Sequence, residues 1–96
     1  QIALQADGTS LIGHSIEDET HQVMKNIKSI LAKADLDFND VIKISIFMKD
    51  LNLFSKVNET YGTYFTTDTA PARETVEISN LPKNANIEMS IIAGIG

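Results

Sequence analysis

Of the eight lysine and arginine side chains in this 96-residue chain, one is an arginine. It is Arg73, in the run Ala70-Pro71-Ala72-Arg73-Glu74-Thr75-Val76-Glu77-Ile78. Lysines supply positive charge everywhere else, so a lone arginine points to work that a guanidinium does well. Its planar fork grips a carboxylate through two parallel hydrogen bonds and keeps its charge when partly buried. Two readings are open at this point. Arg73 binds an anion at the mouth of a strand, or it pairs structurally with Glu74 or Glu77. Glu88 is the second candidate, because it interrupts an apolar run between Ile87 and Met89. A glutamate there either faces solvent or stands in a cleft, where a carboxyl group can do general acid–base work.

Other chemistries find little support. There is no cysteine, which excludes disulfides, thiolate metal sites and a thiol nucleophile. His14 and His21 have no partner at metal-ligand spacing, and His21 is expected on the outer surface of a helix. The five glycines form no phosphate-binding loop, and no serine sits in a nucleophile elbow. Tyr61, Tyr64 and Phe65 fall at helical spacing and read as core rather than as a stacking platform. The net charge of −5 argues against a nucleic-acid surface and against docking on anionic membranes. No stretch is long and apolar enough for a membrane-spanning helix.

The elements that must position Arg73 and Glu88 follow from periodicity. Ile2 and Leu4 alternate with Gln1, Ala3 and Gln5, which predicts a first strand over 1–5. A helix is expected from Asp18 to Ala34, with Met24, Ile27, Leu31 and Ala34 on its apolar stripe and Val23 and Ile30 widening it. Ser15 or Asp18 would cap it, and Glu17, Asp18 and Glu19 suit its positive end. Asp35, where glycine is usual, would take the left-handed conformation. Val41 to Lys49 predicts a strand with Ile42, Ile44, Ile46 and Met48 on one face and Lys43, Ser45 and Phe47 on the other. A second helix is expected over about Leu53 to Thr66, with Phe54, Val57, Tyr61, Tyr64 and Phe65 buried. A loop over 66–72 then delivers Arg73. Strands over Glu74–Ser79 and Ile87–Ile95 complete the chain, and the apolar second half of the last one predicts a central position. The class is α+β, one domain over 1–96, β-α-β-α-β-β, with two helices on one face of a mixed sheet. The other sheet face would carry Phe47 with Met89 or Ile92 and small polar residues, which suits cover by a partner.

The C-terminal pattern Pro-Ala-Arg73-x-x-Val-Glu-Ile, Leu81-Pro82-Lys83 and Ile87-Glu88-x-x-x-Ile-Ala resembles the signature of the RidA (YjgF) family of imine deaminases. Val41-Ile42-Lys43, Phe47 to Asn52, Phe54 and Val57-Asn58-Glu59-Thr60-Tyr61 resemble the strand and helix in the middle of that family. Gln1-Ile2 is similar to the end of its Ser-Gly-Gln-Ile element, so the resemblance spans essentially the whole chain.

The resemblance implies a chorismate-mutase-like fold with strand order 1-4-2-3 and a homotrimer with ligand clefts between subunits. It implies hydrolysis of reactive 2-imino acids or their enamine tautomers to 2-keto acids and ammonia, without cofactor or metal. Arg73 would then hold the ligand carboxylate. Glu88 would activate water and protonate the departing nitrogen. Thr75 stands where many members have cysteine and would contact the ligand through its backbone, and Asn58 would line the cleft. The partners implied are small 2-imino and 2-keto acids, not nucleic acid or membrane, in the cytoplasm or, in a eukaryote, the mitochondrion. The family places a hairpin, a site tyrosine and Ser-Gly before Gln1, so the chain is expected to lack its natural N-terminal segment; the loop at 66–70 is also shorter than in many members. A metabolite-binding protein using the same arginine is the alternative. A ribonuclease or translation inhibitor sits badly with the negative charge, the lone arginine and the lack of a paired histidine.

Overall fold

The computed structural model describes residue 2, residues 15–65 and residues 71–94. The expected first strand, His14 and the loop at 66–70 lie outside the described residues. Helix α1 (Ile16–Lys33) begins two residues before the expected Asp18, because Ser15 is the cap. The Ser15 hydroxyl accepts the backbone N–H of Asp18 at 3.1 Å. At the other end Asp35 takes φ 59°, as expected. Leu36 and Asp35 donate their N–H groups to Leu31 and Ala32 at 2.8 and 3.1 Å, so the helix closes in a Schellman motif.

Strand β1 (Val41–Met48) is the spine of the described sheet, with order β2-β1-β3. Strand β2 (Ala72–Glu77) pairs with it in parallel, and β3 (Ile87–Ala93) pairs antiparallel on the other side. Among the described strands β1 is central; the central place expected for β3 depends on the first strand, which lies outside the described residues. This order is the 3-2-4 part of the expected 1-4-2-3. Helix α2 (Phe54–Gly62) follows a 3₁₀ turn at Leu51–Leu53 and ends four residues before the expected Thr66.

Helices α1 and α2 cover one face of the sheet. Val23, Met24 and Ile27 from α1 meet Ile44, Ile46, Met48, Val57, Ile87 and Met89 in the core. The α1 stripe runs through Ile16, Thr20, Val23, Met24, Ile27 and Leu31, which leaves Ile30 and Ala34 exposed, against expectation. Ile42 is also corrected. The β1–β3 register shifts between Val41 and Lys43, so Val41 turns into the core and Ile42 is 59% exposed.

The open face follows from register. Lys43, Ser45 and Phe47 stand across from Ala72, Glu74 and Val76 on one side and Ile92, Ser90 and Glu88 on the other. Met89 is in the core, which settles that alternative in favour of Ile92. No helix of the described residues is long and apolar enough to cross a membrane.

Ile46 is fully buried at the centre of the sheet. Ile46→Ala is expected to lower unfolding free energy by about 2–5 kcal/mol, because the lost transfer energy adds to an unrelaxed cavity. Urea unfolding of the two proteins checks it, and a loss below about 1 kcal/mol would place Ile46 outside a close-packed core.

Candidate functional site

The site is built where β2 passes alongside α2. Arg73 is the second residue of β2 and pairs with Ile44, so its side chain rises on the helix-covered face. There it meets residues of α2 spaced four and seven apart. Phe54, Asn58 and Tyr61 share one face of that helix. The guanidinium carbon lies 5.1 Å from the Phe54 ring centroid and 5.3 Å from that of Tyr61. Arg73 Nη1 donates to Asn58 Oδ1. The cation is thus held by two ring faces and one amide oxygen, while the residue stays exposed.

The alternative of structural pairing with Glu74 or Glu77 is not what these carboxylates do. Glu74 points to the open face. Its Oε1 accepts the Ser45 hydroxyl at 2.7 Å and lies 3.4 Å from Lys43 Nζ. These contacts, the Ser45 hydrogen bond first and Lys43 second, hold its carboxyl below the usual range. Glu77 Oε1 accepts the Leu51 N–H at 2.9 Å and ties the turn before α2 to the end of β2. Among the described residues, neither carboxylate is paired with Arg73.

Thr75 lies two residues beyond Arg73, on the same face of β2. With Leu51 and Phe54 it lines an open depression of about 330 Å³. Phe54 is shared: the guanidinium packs on its ring, and the same residue walls the depression.

Glu88 stands elsewhere. It pairs with Phe47, between the buried Ile87 and Met89, and so faces the open side of the sheet. Arg73 and Glu88 are three residues apart along the strands, about 10 Å, and two strands apart across them, about 4.8 Å each, on opposite faces. The chain brings Arg73, Asn58 and Thr75 together and does not bring Glu88 to them.

The residues that periodicity did not assign to the site are Leu51, Phe54 and Tyr61. Tyr61 is core, as expected, yet its ring also carries the guanidinium. The signal was present in the spacing of Phe54, Asn58 and Tyr61, which sets one polar residue inside an aromatic helix face. His21 differs from its expected surface position. It is half-buried, and its Nδ1 lies 2.7 Å from the Tyr64 hydroxyl. Among the described residues, no group of three or more His, Cys, Asp or Glu is placed to hold a metal.

Residues 1–95 match the endoribonuclease L-PSP family. The chain belongs to that family. It is the RidA (YjgF) family that the C-terminal pattern resembles. This L-PSP family chain is 44% identical over 93 residues to a RutC family protein of Pyrococcus horikoshii, covering 97% of the chain and 73% of the relative. It is 39% identical over 87 residues to the 2-iminobutanoate/2-iminopropanoate deaminase of Salmonella typhimurium, covering 88% of the chain and 68% of that protein. The fold superposes on the Rid family protein YyfA from Yersinia pestis with a TM-score of 0.94 at 41% identity, covering 99% of this chain and 75% of the other. The expected YjgF-type fold is thereby borne out.

Tyr61 is 6% exposed, and its hydroxyl has no hydrogen-bond partner among the described residues. Burial raises its pKa, with Arg73 opposing part of the rise, so it stays a neutral phenol. Tyr61→Phe keeps the ring under Arg73 and removes an unpaired buried oxygen. Stability is expected to be unchanged or raised by up to about 1 kcal/mol in urea unfolding. A loss larger than about 1 kcal/mol would mean that the hydroxyl has a partner worth keeping.

Proposed function

We propose that this protein hydrolyses 2-imino acids, or their enamine tautomers, to 2-keto acids and ammonia. The observation that carries the reading is the Arg73 guanidinium, held by Phe54, Tyr61 and Asn58, with Phe54 shared between it and an open depression. A 2-imino acid has a carboxylate next to its reacting carbon. A two-point grip on that carboxylate fixes the carbon relative to an attacking water. The depression at Leu51, Phe54 and Thr75 takes the short apolar side chain. Kinship with a relative named for this reaction points the same way.

The chemistry also needs a proton carrier. Glu88 is the candidate, and the sheet keeps it on the opposite face from Arg73 of the same chain. In this reading each site therefore takes Arg73, Asn58 and Thr75 from one copy and Glu88 from the next, in a homotrimer whose contacts use the open sheet face. Water adds to the protonated C=N carbon as Glu88 takes its proton, giving a carbinolamine. Glu88 returns that proton to nitrogen, the C–N bond breaks, and the hydroxyl passes its own proton to the departing ammonia, which leaves the ketone and ammonium. A ligand, water and the keto acid with ammonium balance without any redox step.

A chain that stayed single would keep the arginine grip and lack the acid. It would bind keto acids without turnover, which makes assembly the point that separates the enzyme from the metabolite-binding alternative. Cleavage of RNA, suggested by the family's description, remains at odds with a net charge of −5 and one arginine.

The test is a coupled assay in which threonine dehydratase forms 2-iminobutanoate and semicarbazide competes for it. Wild type is expected to suppress semicarbazone formation. Arg73→Ala is expected to lose roughly 100-fold or more in kcat/KM, from two charge-assisted hydrogen bonds. Glu88→Gln is expected to lose about 10²- to 10⁴-fold in kcat. Co-refolding the two inactive variants should restore part of the activity, because mixed assemblies hold some sites with both wild-type groups. Suppression that survives Arg73→Ala, or no recovery on mixing, would sink the shared-site reading.

A further inference from the structure

Glu19 is a buried carboxylate that the proposed site does not use. It lies in the first turn of α1 and is 4% exposed. Its place there suits the helix dipole, but its oxygens are turned across the molecule onto a single residue. Oε1 accepts the backbone N–H of Asn86 at 2.9 Å, and Oε2 accepts the Asn86 side-chain amide at 3.0 Å. The Asn86 carbonyl accepts the Lys49 N–H at 3.2 Å. That bond adds a rung to the β1–β3 ladder beyond Met48 and Ile87. Asn86 is held at its N–H, its side chain and its C=O, and Glu88 follows two residues later.

Burying a carboxylate is costly unless its oxygens are hydrogen-bonded. Here both are satisfied by one partner, and by charge-assisted bonds. A carboxylate only accepts, so the Asn86 amide must turn its NH₂ inward. This matters for β3, which is reached through a turn with Lys83 at φ 55° and has to start in register. A one-residue slip would send Glu88 into the core and Met89 onto the open face.

We infer that Glu19 is a positioning residue: through Asn86 it fixes the start of β3 and hence where Glu88 is presented. The inference rests on the deaminase reading for its kinetic consequence. Arg73 is held by α2 and β2, away from the clamp, so loss of Glu19 acts on the step assigned to Glu88 and not on carboxylate binding.

The experiment uses the full chain and compares wild type with Glu19→Ala, Glu19→Gln and Asn86→Ala. It reads kcat and KM for 2-iminobutanoate and the ¹³C resonance of the Glu88 carboxyl at one fixed pH. Glu19→Ala is expected to lower kcat roughly 10- to 100-fold with KM changed less than about twofold, as for a misplaced catalytic group. The Glu88 resonance should move with it. Glu19→Gln should retain most of the rate, because the Asn86 amide can turn over and offer its oxygen to the new NH₂. Asn86→Ala, which removes only the side-chain half of the clamp, should fall between them. Three results overturn the inference: an unchanged kcat in Glu19→Ala, a KM that rises in step with the loss, or an unmoved Glu88 resonance beside a lowered melting temperature. If wild type is as inert as Arg73→Ala, the deaminase reading fails and the resonance alone decides the clamp: moved, it stands; unmoved, it falls.

Discussion

Every described strand of this sheet must satisfy two environments at once, because α1 and α2 cover one of its faces. The two-residue pleat is the constraint from which the rest follows. In β1 it sends Ile44, Ile46 and Met48 to the helices and Lys43, Ser45 and Phe47 to the open side. Registered against β1, the same period places Arg73 and Thr75 with the helices and Glu74, Val76 and Glu88 opposite. The two charged groups with the best claim to chemistry are separated by the alternation that builds the core. Neither can be moved to the other's face without a register slip that would expose Met89 or bury a charge.

Each of those groups is governed by a different helix. Helix α2 supplies Phe54, Asn58 and Tyr61, which leave the Arg73 guanidinium little freedom to rotate. A lysine would lack the plane that stacks on both rings, and its rotatable point charge would leave Asn58 without a fixed partner. Helix α1 reaches β3 through Glu19 and Asn86. The sheet is the frame that relates these two fixtures, and its most deeply buried residues lie between them.

Periodicity made most of the frame legible. The stripe of α1, the alternation of β1 and the left-handed Asp35 can all be read from residue types. What could not be read depends on contacts between distant segments. The shift that exposes Ile42 arises only when β1 pairs with β3. Ile30 belongs to the apolar period yet lies beyond the reach of α2 and the sheet, at 44% exposed. His21 looks like a surface residue until Tyr64 arrives from 43 positions away. For the site, Arg73 is visible from its solitude, but its partners are not. Three acidic residues open α1, and nothing local distinguishes Glu19, whose partner is 67 positions on, from Glu17 or Asp18.

The open face is better prepared for burial than its exposure suggests. Phe47, Val76 and Ile92 are apolar, and Ile92 is 59% exposed. The carboxylate beside them, Glu74, already accepts from Ser45 and lies against Lys43. A charge with its own hydrogen bonds costs less to cover than a bare one, because part of its hydration has been replaced in advance. Glu88 and Ser90 are the polar groups of β3 on this face, and Ser90 stands across from Ser45. If a second copy covers the apolar residues while Glu88 looks onto the neighbour's Arg73, the face separates its polar tasks. Glu74 stays within the chain, and Glu88 is left for the partner. Under the proposed deaminase reading, the separation of Arg73 from Glu88 by the pleat is what makes association necessary, because the two residues of one chain lie on opposite faces of its sheet.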